Sequence, residues 1–196
     1  QLNGDESNLQ AYYKMSTAEG NSLIDNSSNS NNGTISGATW GTNYVPLGNL
    51  NSSYQIDMEG LWEATGTSVS QASNGLTMSV SSTLSEENFA VFGNNSASST
   101  STSDLPSGIA IRSGKIWQVE KSGSVPASIT IDIGDVTGGL SIGNANEYRL
   151  LHRISIGGDF SELATGGSKT DDKITFSGVS IKNGFYVIAS TNSNNL

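Results

Sequence analysis

Apolar residues in this chain recur at every second position, in short runs cut by Asn-Gly and Gly-Gly pairs, and no feature constrains the fold more. Period two is the spacing at which the side chains of an extended strand share one face of a sheet. It predicts strands over residues 9–15, 33–40, 54–58, 75–81, 88–93, 108–112, 115–120, 128–133, 147–152, 173–176 and 184–189, with helix nearly absent. Reversals fall at Asn31-Asn32-Gly33, Asn74-Gly75, Lys121-Ser122-Gly123, Gly138-Gly139, Gly157-Gly158 and Asn183-Gly184, because Asn and Gly accept the positive φ of tight turns. Short strands at this spacing predict an all-β fold: an antiparallel β-sandwich, jelly-roll or Ig-like, with an N-terminal strand extension. A closed barrel is the alternative. Polar stretches 16–32 and 94–103 read as surface loops and 191–196 as a linker or tail.

At 196 residues the chain can bury a core without covalent staples. It has no Cys, which excludes disulfides, Cys-ligated zinc and a Cys nucleophile. Whether a Lys is joined to an Asn or Asp by an isopeptide bond is left open by the spacing. A net charge of −9 with nine scattered basic residues argues against nucleic acid, whose affinity comes from clustered Lys and Arg. No apolar run approaches the roughly 20 residues that span a bilayer, so no membrane insertion is expected. The start lacks the basic-then-apolar pattern of a signal peptide, so a secreted origin implies that such a segment was removed or that the chain begins inside a longer one. A surface rich in Ser, Thr, Asn and Gly resembles that of secreted bacterial β-proteins.

The run Gly4 to Met15, containing Leu9-Gln10-Ala11-Tyr12-Tyr13, and the run Leu23-Ile24-Asp25-Asn26-Ser27-Ser28-Asn29-Ser30-Asn31-Asn32-Gly33-Thr34-Ile35 through Trp40 resemble the C-terminal strands of a laminin-G-like (concanavalin A-like) jelly roll. Strands without their sheet carry unpaired backbone groups. The resemblance therefore implies that this segment pairs with the following domain or with a neighbouring copy, through Leu9, Ala11, Tyr12, Tyr13 and Met15.

The remainder resembles a β-sandwich module that follows laminin-G-like domains in large secreted surface proteins of gliding-type Gram-negative bacteria. The pieces that carry this are Asn88-Phe89-Ala90-Val91-Phe92-Gly93-Asn94-Asn95, Ile111-Arg112-Ser113-Gly114-Lys115-Ile116-Trp117, Tyr148-Arg149-Leu150-Leu151, Asp159-Phe160-Ser161 and the run Ile174 to Ala189. The divisions implied are 1–43, 44–190 and 191–196. The function implied is a non-enzymatic extracellular module, either an adhesin domain or a filament subunit assembled by β-strand addition. Its partners would be copies of itself, neighbouring domains of the same polypeptide, or surface glycans.

Candidate chemistry is sparse. His152 stands alone on a strand without a nucleophile motif, so a structural role is expected. Asp57, Glu59 and Glu63 alternate as glycosidase carboxylates could, and as a solvent face opposite Ile56 and Met58 would; Glu86 and Glu87 are adjacent. Ca²⁺ is the most reasonable metal, with Asp25, Asn29 and Asn31 or the pairs Asp132/Asp135 and Asp171/Asp172 as oxygen ligands, but no EF-hand spacing occurs and no cofactor is assigned. Sugar binding as the alternative function would use Trp62, with Tyr54, Tyr44 and Glu59 around it, whereas Trp40 and Trp117 read as core. The sequons at Asn26, Asn32, Asn51 and Asn94 are expected by chance in such a composition.

Overall fold

A computed structural model describes residues 4–13, 20–38, 50–71, 73–85, 87–139 and 143–196. Met15, Trp40, Tyr44 and Glu86 lie outside the described residues. The chain divides into two compact units, Gln1–Tyr44 and Val45–Leu196.

In the first unit, β1 (Ser22–Leu23) pairs antiparallel with β2 (Gly33–Thr34). The predicted strand 9–15 contributes a single bridge, Tyr13 to Asp25. Regular pairing is replaced here by a side-chain clamp. The buried Asp25 carboxylate accepts from Tyr12 N at 2.7 Å, Ser27 N at 2.8 Å, Ser27 Oγ at 2.7 Å and Asn31 N at 2.7 Å. Asn29 Nδ2 donates to Leu9 O at 2.8 Å, and Asn31 Nδ2 to Gln10 O at 2.9 Å. Short polar side chains thus satisfy backbone groups that a sheet would otherwise satisfy.

The second unit is an antiparallel β-sandwich. In chain order its strands are β3 (Ile56–Leu61), β4 (Ser68–Ser70), β5 (Leu76–Ser79), β6 (Phe89–Asn94), β7 (Thr100–Ser101), β8 (Ile111–Ser113), β9 (Trp117–Ser122) and β10 (Pro126–Asp132). After the short helix α1 (Ile133–Thr137) come β11 (Tyr148–Arg153), β12 (Ser161–Thr165), β13 (Ser168–Thr170), β14 (Lys173–Ser180) and β15 (Gly184–Ser190). The small sheet runs β13-β14-β10-β5-β4; the large one runs β12-β11-β15-β9-β6-β3, with β8 also on β15 and β7 on β8. Strand β10 stops where Asp132 turns its side chain onto Asp135 N (3.3 Å) and caps α1, which ends at the left-handed Gly138.

The main core lies between the sheets. Leu76, Met78, Ile129, Ile131, Ile174 and Phe176 of the small sheet meet Phe92, Trp117, Val119, Tyr148, Leu150 and Tyr186 of the large one. Burying each such side chain contributes about 1.5–3 kcal/mol, so this layer dominates the stability.

Strand β15 breaks the one-face-in rule, since all of its residues are buried. Its Tyr186 and Ile188 face the main core, while Phe185, Val187 and Ala189 join Tyr54, Ile116, Leu151 and Phe160 in a second cluster. Leu105 and Ile109 pack against that cluster. Both Arg112 and Arg153 are buried beside it, their guanidinium carbons 5.2 and 4.3 Å from the centroid of Phe160, and both reach Asp104 Oδ2 at 3.4 Å. Burial lowers the pKa of Arg112, with Asp104 opposing that shift.

The outer face of the small sheet is built of hydroxyls. Every one of its strands carries Ser or Thr two residues apart: Ser68/Ser70, Thr77/Ser79, Ser128/Thr130, Thr175/Ser177 and Ser168/Thr170. Register aligns Ser168, Thr175, Thr130, Thr77 and Ser70 in one row across all five strands. Thr130 Oγ1 meets Thr175 Oγ1 at 2.9 Å and Ser70 Oγ meets Thr77 Oγ1 at 2.8 Å. Such pairs are worth only about 0.2–1 kcal/mol each.

Three corrections follow. The short strands β4, β12 and β13 lie where none is predicted, because runs such as Ser-Val-Ser and Ser-Lys-Thr lack apolar alternation and are held by their neighbours' ladders. The expected loop 94–103 contains β7, paired with β8. Residues 191–196, expected to be a linker, pack onto the sandwich: Asn195 is buried and Leu196 lies against the main core.

Candidate functional site

A bulge in β3, the turn before β5 and the turn before β9 bring together the buried Gln71, Asn94 and Lys115, the part-buried Asn74 and the exposed Asp57. The bulge originates in β3 and β6. Ile56 pairs with Asn94 and Glu59 with Phe92, so Asp57 and Met58 stand opposite Gly93 alone. Asp57 adopts φ 49° to make the extra step. A Cβ at Gly93 would lie 2.3 Å from Tyr54 O, so only glycine fits there. The bulge undoes the predicted alternation: Ile56 and Met58 are exposed, whereas Glu59 is half-buried. Burial first, and Asp57 second, raise the pKa of Glu59.

Gln71, buried, ties the bulge to the large sheet, its Nε2 donating to Asp57 O and its Oε1 accepting from the indole of Trp117 at 2.8 Å. Asn94, also buried, donates to Ile56 O at 3.1 Å. The turn that follows Gln71 places Asn74, whose N donates to Gln71 O at 3.1 Å. Its neighbour Gly75 has φ +79°, and a Cβ there would come within 2.8 Å of Asp132 O. Asn74 Nδ2 donates to Asp57 Oδ2 at 2.9 Å.

Lys115 enters from the opposite side. It is 4 % exposed, and its Nζ donates to Asn74 Oδ1 and to Asp135 O, both at 3.0 Å. Among the described residues no carboxylate forms an ion pair with it. Burial lowers its pKa, opposed by Asp135 and Asp57. The cluster therefore holds an amine, a carboxamide and a carboxylate in one hydrogen-bonded line.

The residues singled out from sequence are placed as follows. Tyr54 is packed in the second cluster, its ring edge-on to Phe185 at 5.0 Å, so it offers no face to a sugar. Trp62 is half-buried; its backbone N donates to Thr65 Oγ1 at 2.9 Å, and its Nε1 is buried with no hydrogen-bond partner among the described residues. Of the expected platform, Tyr54 is thus packed in the second cluster and Tyr44 lies outside the described residues. Leu9, Ala11, Tyr12 and Tyr13 are half-buried in the first unit, where Tyr12 N donates to Asp25 and Tyr12 O accepts from Asn26 N at 2.7 Å.

Asp25, Asn29 and Asn31 form the backbone clamp described above instead of an open ligand set. Asp132 caps α1 and pairs with Lys173 at 2.9 Å. No group of three or more His, Cys, Asp or Glu that could hold a metal ion occurs among the described residues. The Nε2 of His152 lies 2.9 Å from Asn183 O and its ring is edge-on to Tyr186 at 5.0 Å. Of the sequons, Asn94 is inaccessible, and Asn51 caps a short turn through Ser53 N at 3.0 Å. Lys115 and Asn74 were not singled out from sequence, since nothing in their spacing marks them.

Residues 51–185 match the family described as Domain of unknown function (DUF8202). No curated protein and no solved structure matches the chain.

Proposed function

The chain belongs to the DUF8202 family, and from that premise and the geometry above we propose that it is a non-enzymatic structural and adhesion module of an extracellular, cell-surface protein. The reading is supported above all by the way the first unit completes its own hydrogen bonds. The Asp25 clamp engages both backbone groups of Tyr12, so that strand addition to a neighbour would first have to release them. A self-contained bead in a modular surface protein requires no such release, and we favour it over the filament subunit.

The test is to compare the full chain with one lacking residues 1–15 by electron microscopy and sedimentation. The bead reading expects monomers from both; filaments formed by the full chain and lost on deletion would establish strand donation. Display of the chain on a non-adherent cell should raise attachment to surfaces or to other cells, and no gain would remove the adhesive part of the proposal. Carbohydrate recognition is a separate outcome: binding on a glycan array that is lost in folded Trp62→Ala would replace this reading.

A further inference from the structure

We propose that Lys115 and Asn74 join through an intramolecular isopeptide bond, Nζ to Cγ with loss of ammonia, and that Asp57 moves the protons. The argument begins with burial. An ammonium group held out of water, whose hydrogen-bond partners are an amide oxygen and a backbone carbonyl and whose burial Asp135 and Asp57 offset only in part, is poorly compensated; this favours the neutral amine, and the neutral amine is the nucleophile. Trp117 and Ile116, both buried, adjoin it in sequence on β9 and its approach.

The acceptor amide is held beside the amine. Asn74 is gripped from two sides, its Oδ1 by Lys115 at 3.0 Å and its Nδ2 by Asp57 Oδ2 at 2.9 Å. The carbonyl oxygen faces the amine, and the nitrogen that must leave faces the carboxylate. Asp57 is itself fixed by the bulge and by Gln71 on its backbone oxygen. Holding reactants in such proximity is worth many orders of magnitude in rate.

The step balances without any further reagent. The lone pair of Lys115 Nζ forms the bond to Asn74 Cγ, and the carbonyl π pair moves to Oδ1. Once bonded to Cγ, Nζ lies beside Nδ2 on the same carbon, so the Asp57 carboxylate that already holds Nδ2 takes a proton from Nζ and delivers it to Nδ2. The pair on Oδ1 returns, the Cγ–Nδ2 bond breaks, and ammonia departs, leaving a secondary amide and regenerating the carboxylate. Asn74 lies between β4 and β5 of the small sheet and Lys115 between β8 and β9, so the bond would tie the two sheets together across 41 residues.

The experiment is intact-mass and tandem mass spectrometry of the full chain after folding. The expected mass is below that of the sequence by one ammonia, with a branched peptide linking Lys115 to Asn74. Lys115→Arg, Asn74→Ala and Asp57→Ala should each restore the full mass expected of the variant. An unmodified mass for the folded wild-type chain would overturn the proposal. So would loss of water in place of ammonia, which marks a carboxylate acceptor, or a loss of ammonia that persists in Lys115→Arg and maps to a succinimide at Asn74-Gly75; cyclisation of an N-terminal Gln1, which also releases ammonia, is read separately from the N-terminal peptide. Should a variant fail to fold, the presence or absence of the branched peptide in the wild type decides alone.

Discussion

Tyr148 Oη donates to the carbonyl of Asn195 at 3.1 Å inside the sandwich, and Asn195 Nδ2 donates in turn to Ser190 Oγ at 2.9 Å. Residues 191–196 are therefore part of the folded unit. Tyr148→Phe should destabilise it by about 0.5–1.5 kcal/mol, the net value of one buried hydrogen bond. Urea unfolding of the variant checks this, and an unchanged midpoint would mean that this hydrogen bond contributes nothing.

The imidazole of His152 is held below its ordinary pKa by burial, which the carbonyl of Asn183 opposes and Lys182 reinforces. The unfolded chain consequently binds the proton more readily than the folded one. Stability from this residue is complete above about pH 6.5 and declines as the pH falls below it. Unfolding midpoints measured from pH 7.5 to 5 should drop for the wild type and drop less for His152→Gln.

For Asp25 the direction is reversed. Burial would raise its pKa, but hydrogen bonds from Tyr12 and Ser27 N, Ser27 Oγ and Asn31 N outweigh it and bring the carboxyl from 3.8 down to about 2. The clamp is thus intact above the ordinary carboxylate range and is lost as the pH falls through about 2. Asp25→Ala should abolish amide-exchange protection at Tyr12, Ser27 and Asn31 at neutral pH, while leaving that of β10 and β15 unaltered.

Gly93→Ala removes the space that the β3 bulge occupies, since the new Cβ would meet Tyr54 O at 2.3 Å. Overpacking against backbone costs about 1–3 kcal/mol or more. The melting temperature should fall accordingly, and exchange at Gln71 and Trp117 should rise with it.

Phe160→Ala strips the ring that two buried guanidinium groups approach and opens the second cluster. A loss of about 3–5 kcal/mol is expected. Phe160→Leu, which keeps most of the apolar volume, should lose less, and calorimetry of the two variants separates packing from the cation–π contribution.

The sandwich itself was legible because strands such as β5 and β10 show period two in their own residues, as in Leu76 and Met78 or Ala127, Ile129 and Ile131. What escaped depends on partners distant in sequence. Ile56-Asp57-Met58-Glu59 alternates as a regular strand does, and only Gly93 on the neighbouring strand betrays the bulge. The second face of β15 is covered by Tyr54, Leu105, Ile109, Ile116 and Phe160, all distant in sequence, so its burial has no local signature. Lys115, Asn74 and Asp57 come from three separate turns or bulges, and no spacing brings such a set to notice. In the first unit, the Asn-rich loop lacks apolar residues yet is ordered by Asp25, because hydrogen bonds to a carboxylate can replace hydrophobic burial over a short segment.

The row of hydroxyls from Ser168 to Ser70 has a consequence for the medium in which the module works. A sheet face covered with Lys and Glu depends on fields whose reach shrinks to about 3 Å at 1 M salt, and its hydration changes with ionic strength. Neutral hydroxyls hold their water by hydrogen bonds that carry no such dependence. Apart from the Asp132–Lys173 ion pair, the outer face of the small sheet should therefore remain equally wetted in fresh water and in brine.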